Sequence, residues 1–103
     1  MIKTVNYDHD LTADQTYKKA CKLIPELQKD YGDKVSNPEL NWNKPRNKMI
    51  FKMIINGNEF KGVVKLHDRR LQIESDLPWA AILFWGKIKK KIREKLDELF
   101  KRR

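Results

Sequence analysis

The chain has 103 residues, 40% of them hydrophobic and 36% charged, with a formal net charge of +9. This is the length of one domain. No apolar run approaches the roughly 20 residues of a membrane span, the opening Met-Ile-Lys-Thr-Val lacks the apolar stretch of a signal peptide, and a lone cysteine, Cys21, excludes a disulfide framework. The expectation is a soluble, cytoplasmic protein whose residues 1–103 form a single domain.

Ile2-Lys3-Thr4-Val5-Asn6-Tyr7 reads as a short strand, rich in β-branched and aromatic residues. Asp8-His9-Asp10 breaks it. Thr12 with Gln15 three residues later is a capping-box signature. Tyr17, Ala20, Cys21, Ile24, Leu27 and Tyr31 then recur at helical spacing, and Gly32 is a natural stop. Pro25 removes a hydrogen bond from that helix and predicts a kink or a split.

Residues 33–46 read as a polar connection containing Pro38 and Pro45, with a short strand around Leu40-Asn41-Trp42. Residues 48–55 form a strand whose Met49, Phe51, Met53 and Ile55 share one face. Asn56-Gly57 is the preferred pair for a type I′ hairpin turn. The return strand, 59–66, puts Phe60, Gly62, Val64 and Leu66 together, with Gly62 relieving crowding where a helix crosses the sheet. After a turn at Asp68-Arg69, Leu71, Ile73, Ser75 and Leu77 alternate with polar residues along a third strand. Such alternation marks an antiparallel sheet covered on one side.

From Pro78 the period becomes helical. Ala81, Trp85, Ile88, Ile92, Leu96 and Leu99 fall on one stripe of a long C-terminal helix. The predicted fold is α+β, of order β-α-β-β-β-β-α. An antiparallel sheet of four to five strands is packed on one face by an N-terminal helix and the long C-terminal helix, a small helix-grip arrangement.

Catalytic chemistry finds little purchase. His9 and His67 lie in or beside turns, the usual setting of exposed loop histidines. Cys21 falls on the apolar face of the first helix, where a thiol behaves as a small hydrophobe. No His-rich, HExxH or CxxC spacing supports a metal, and four scattered glycines make no phosphate loop. No catalytic, cofactor-binding or metal-binding residue is assigned, and the expectation is a protein that is not an enzyme.

Two features carry functional content. Residues 77–85, Leu-Pro-Trp-Ala-Ala-Ile-Leu-Phe-Trp, contain no charge. Trp79 and Leu83 point away from the stripe of Ala81 and Trp85, and one helix cannot bury both faces against one sheet. Trp79, Ile82 and Leu83 are therefore candidates for contact with an apolar surface, a hydrophobic granule or another protein. The alternatives are a corner covered by residues 33–46, or contact with a second copy in a homodimer. The second feature is the basic run after it: residues 77–103 hold nine positive and three negative side chains. Lys87, Lys90 and Arg93 would meet negative charge around an apolar surface. Two rivals stand beside this reading. A helix-gripped sheet could enclose a small apolar ligand, with Trp42, Phe51, Met53, Phe60 and Trp85 as lining. The basic tail could instead bind nucleic acid, although helix-turn-helix spacing is absent and Phe51 and Phe60 fall on the dry face of the sheet.

The ordered set of elements resembles the polyhydroxyalkanoic acid system family, small bacterial proteins linked to polyester storage granules. His9 and Leu11 stand in the place of that family's His-x-Leu element. Tyr31-Gly32 at the helix end, Trp42, the Phe51 strand, the Gly57 and Gly62 hairpin and Leu77-Pro78 follow in order. Ile88, Ile92, Leu96 and Leu99 keep the closing helix's apolar rhythm. A longer linker between Tyr31 and Phe51, Pro25 and the basic tail depart from the pattern. The resemblance implies a cytoplasmic role in polyhydroxyalkanoate synthesis or packaging, with no catalytic residue or cofactor to carry over.

Overall fold

In the computed structural model, residues 2–43 and 47–101 are described. Strand β1 (Ile2–Asp8) leads into helix α1 (Ala13–Tyr31), followed by a single 3₁₀ turn, Gly32–Lys34. Strands β2 (Val35–Trp42), β3 (Lys48–Ile55), β4 (Asn58–His67) and β5 (Arg70–Asp76) follow. Helices α2 (Trp79–Ile82) and α3 (Trp85–Lys101) close the chain. The five strands form one antiparallel sheet of order β1-β5-β4-β3-β2. The fold is α+β, as expected from the pattern of elements.

Local chemistry explains each boundary. Thr12 Oγ1 accepts from the Gln15 amide and Gln15 Oε1 accepts from the Thr12 amide, which completes the expected capping box. Asp68, in the β4–β5 turn, accepts from the Ala13 amide at 3.0 Å and satisfies a further donor of the same helix start. Asn56 and Gly57 both have positive φ, 52° and 80°, as a type I′ turn requires. Their hairpin is in register, with Ile55 opposite Asn58.

The alternation in β3, β4 and β5 points one set of side chains into the core. Met49, Phe51, Met53, Phe60, Val64 and Leu66 are buried, as are Leu71 and Ile73. Helix α1 contributes Ala20, Leu23 and Ile24 from above. Leu23 is among the best-buried side chains, whereas Cys21 is only half-buried. The buried stripe is thus rotated slightly from the expected one, with Thr16 completing it.

Five further expectations are corrected. Helix α1 is not split but runs on through Pro25, whose side chain is exposed. Residues 35–42 are not a connection but a full strand. Asn37 takes φ 51° and the register shifts between Ser36 and Glu39, a bulge that lets Pro38 sit in the edge strand. Pro45, the other proline of the expected connection, lies outside the described residues. The crowding at Gly62 comes from within the sheet, not from a helix: an added Cβ would collide with the Glu74 carbonyl oxygen and lie 2.8 Å from the Phe51 ring. The C-terminal helix is not continuous from Pro78. A turn at Leu83-Phe84, where the Phe84 amide donates to Ala81 three residues back, separates α2 from α3. Finally, His9 is not an exposed loop residue; its setting is described below.

Helix α3 packs chiefly against α1 and β1. Leu96 and Leu99 are fully buried. Lys95, 6% exposed, pairs with Asp30 of α1 and with Glu98 one turn on. The Asp30 hydrogen bond raises the Lys95 pKa despite the opposing effect of burial. Lys19 of α1 donates to the Leu99 carbonyl at 2.9 Å, capping the last turn of α3 with a cation.

Candidate functional site

The break between α2 and α3 decides where the uncharged run ends up. Pro78, with extended backbone, turns the chain off β5 and starts α2. Leu77 and Ala81 are drawn into the core. The tight turn at Leu83-Phe84 then shifts the helical phase, so the remaining large side chains face outward. Trp79 is 81% exposed, Leu83 87% and Phe84 57%, while Ile82 is half-buried behind them. Ile2, whose strand partner Asp76 immediately precedes the corner, and Ile50 of β3 are the other large hydrophobic side chains this exposed among the described residues.

The basic side chains divide. Lys87 and Lys90 are exposed on the first turns of α3, adjoining the apolar corner. Arg93 instead folds back onto β1, where its guanidinium donates to the Asn6 carbonyl at 3.1 Å. The sequence thus placed Trp79, Ile82, Leu83, Lys87 and Lys90 in one neighbourhood but missed Phe84. A signal for Phe84 existed, since it lies inside the uncharged run. Nothing short-range, however, revealed the phase shift that exposes it.

Beneath the corner lies a cavity of about 560 Å³, between the sheet, α1 and the first half of α3. Phe51, Met53 and Phe60 form its floor, Leu27 and Ile88 contribute from the helices, and Trp85 closes one side. Four of the five residues expected to line a pocket therefore do so. Trp42 does not. It packs edge-on against Tyr17, with ring centroids 4.7 Å apart, at the end of β2 opposite Val35, which does line the cavity. Seven residue steps of extended chain separate the two by roughly 20 Å. Lys34, Lys87 and Lys91 stand among the lining residues, with Asn56 and Asn58 of the β3–β4 hairpin. Ser75 supplies a hydroxyl-bearing side chain from β5.

A second cluster lies apart from this cavity. The His9 ring stacks on Phe100, centroids 4.8 Å apart, and Tyr7 packs on the same ring at 5.3 Å. The Leu11 amide donates to His9 Nδ1 at 3.0 Å, which requires that nitrogen to be unprotonated. The Thr16 hydroxyl donates to the Thr12 carbonyl, and its oxygen lies 3.5 Å from Nε2. Burial holds the imidazole below its ordinary value of 6.5, against the opposing pull of Asp10 and Asp8. The Tyr7 hydroxyl donates to Asp97 Oδ1 at 2.7 Å, and burial with that bond pushes the phenol up to about 12. His9 in this setting joins β1, α1 and α3. His67, by contrast, is exposed.

Among the described residues, no three of His, Cys, Asp and Glu come together to hold a metal ion, and no helix is long and apolar enough to cross a membrane. The geometry defines a five-stranded α+β domain with an apolar, lysine-flanked opening at one side. The family model described as "Putative polyhydroxyalkanoic acid system protein" matches residues 4–100, and the chain belongs to that family. No curated protein matches the chain. Among solved structures, the crystal structure of a TBP-like protein from Parabacteroides distasonis ATCC 8503 is similar, with a TM-score of 0.46 and 12% identity over 72% of this chain. The chain spans about half, 52%, of the length of that structure.

Proposed function

We propose that this chain is a non-enzymatic surface-docking protein of the polyhydroxyalkanoate system, acting in the cytoplasm on the polyester granule. The observation that carries this reading is the contiguous exposure of Trp79, Leu83 and Phe84 at the α2–α3 turn, beside Lys87 and Lys90. Three large apolar side chains held together in water are costly unless they meet a partner. Trp79 and Leu83 insert into the polyester, and Ile82 supports them from behind. Lys87 and Lys90 face outward toward negative charge, which a polyester of hydroxy acids carries at the carboxyl end of each chain. Arg93 serves the fold instead, through its bond to β1.

The test is adsorption of the purified protein to polyhydroxybutyrate particles at low and high salt. Retention in high salt is expected, because apolar burial is not screened as charge is. Changing Trp79 and Leu83 together to Ser should abolish it. Adsorption that survives the double change, or that vanishes on adding salt alone, overturns the reading. Tight binding to single-stranded nucleic acid with steep salt dependence, and none to the particles, would make the basic helix the functional element instead.

A further inference from the structure

We infer that the cavity beneath the corner is a binding site for a single-chain carboxylate amphiphile, a medium-length acyl chain with an anionic head. The inference goes beyond granule docking: Phe84 and Lys87 border both sites, but Trp79 and Leu83, which carry the docking, do not line the cavity.

Three observations converge on that ligand class. The first is size: about 560 Å³ falls within the range of small-molecule sites. The second is the chemistry of the walls. Phe51, Met53, Phe60 and Val64 from the sheet, with Ile88 and Ile92 from α3, offer an apolar slot and a flexible methionine to fill gaps. The third is charge. Lys34 reaches the cavity from the turn after α1, and Lys87 and Lys91 from α3, so cations approach from two separate elements. All three are exposed, as befits groups at a mouth. An apolar slot with cations at its rim complements a chain that is apolar along its length and anionic at one end. A nucleotide or a sugar would waste the apolar walls, and a neutral hydrocarbon would waste the lysines.

The half-buried state of Trp85, Ile88 and Ile92 fits the same picture. One flank of each borders the recess. With an acyl chain in place they gain the contacts that Leu96 and Leu99 already have farther along the helix.

Isothermal titration calorimetry with sodium hexanoate, octanoate and decanoate, and with 1-decanol, tests the assignment on the full chain. Affinity should rise roughly 4-fold per methylene from hexanoate to decanoate. Decanoate should bind about 5-fold tighter than decanol, and changing Lys34 and Lys87 to Gln should erase that margin. Ala80 is exposed and lines the mouth, so Ala80→Trp should block both probes while the protein stays folded. Absence of decanoate binding, affinity independent of chain length, or no preference over decanol each overturns the proposal. Because the wild-type series alone decides it, a poorly folded Ala80→Trp protein would not rescue it. The two readings separate cleanly: the Trp79→Ser, Leu83→Ser double variant should lose adsorption to polyester yet keep decanoate binding.

Discussion

Helix α3 has two halves that treat the same heptad-like rhythm of apolar residues differently. From Trp85 to Ile92 its apolar side chains are half-buried and border a cavity. From Lys95 onward Leu96 and Leu99 are sealed, Lys95 is paired, and Lys19 caps the end. The second half is where the domain is held together. The first half is held in place by it and left with unspent apolar surface. Half-buried apolar surface and a sealed core thus meet within one helix.

The largest expected effect tests the contrast directly. Leu96→Ala should lower unfolding free energy by about 2–5 kcal/mol, whereas Ile88→Ala should cost about 1 kcal/mol, both read from urea titrations. Equal losses would show that the two halves are packed alike. Next comes the ion pair between α1 and α3: Asp30→Asn leaves the buried Lys95 ammonium with Glu98 alone and should cost about 1–2 kcal/mol.

A pH dependence sharpens the contrast from the sealed side. The folded His9 imidazole titrates below 6.5 and the unfolded one at 6.5, so folding favours the neutral ring. That contribution is complete above 6.5 and fades as pH falls through the folded value. Protonation would also put a hydrogen on Nδ1 facing the Leu11 amide. The urea midpoint should therefore drop as the pH falls below about 6.5, and His9→Gln should flatten that step. A slope unchanged by the substitution would leave His9 without a role in the acid response. The smallest effect belongs to the open side: Trp79→Ser with Leu83→Ser should shift stability by no more than about 0.5 kcal/mol, because both side chains are in water. A larger loss would mean that the corner is part of the core.

Where the sequence spoke clearly, it did so through short-range rules. The capping box at Thr12 and Gln15, the Asn56-Gly57 turn and the alternation in β3, β4 and β5 depend on neighbours within a few residues, and all were legible. Strand β2 was legible only at its end, since Asn37-Pro38 looks like a breaker unless an edge strand accommodates a bulge. The α2–α3 break was hidden because an uncharged run has no polar residues to mark the phase of a helix. Trp42 fell on the correct face of the sheet, but its distance from the cavity depends on where along β2 it stands. The contact of His9 with Phe100 joins the two ends of the chain, and no local pattern encodes it.

The bond from Arg93 to the Asn6 carbonyl has a consequence for how many copies can crowd together. Strand β1 forms one margin of the sheet, and Asn6 offers there an acceptor that another chain's backbone could use. Arg93 occupies it. At the opposite margin the Asn37-Pro38 bulge interrupts β2 and removes an amide donor. Both margins of the sheet are thereby blunted against edge-to-edge pairing, so two copies meeting in solution are discouraged from zipping into a continuous ribbon.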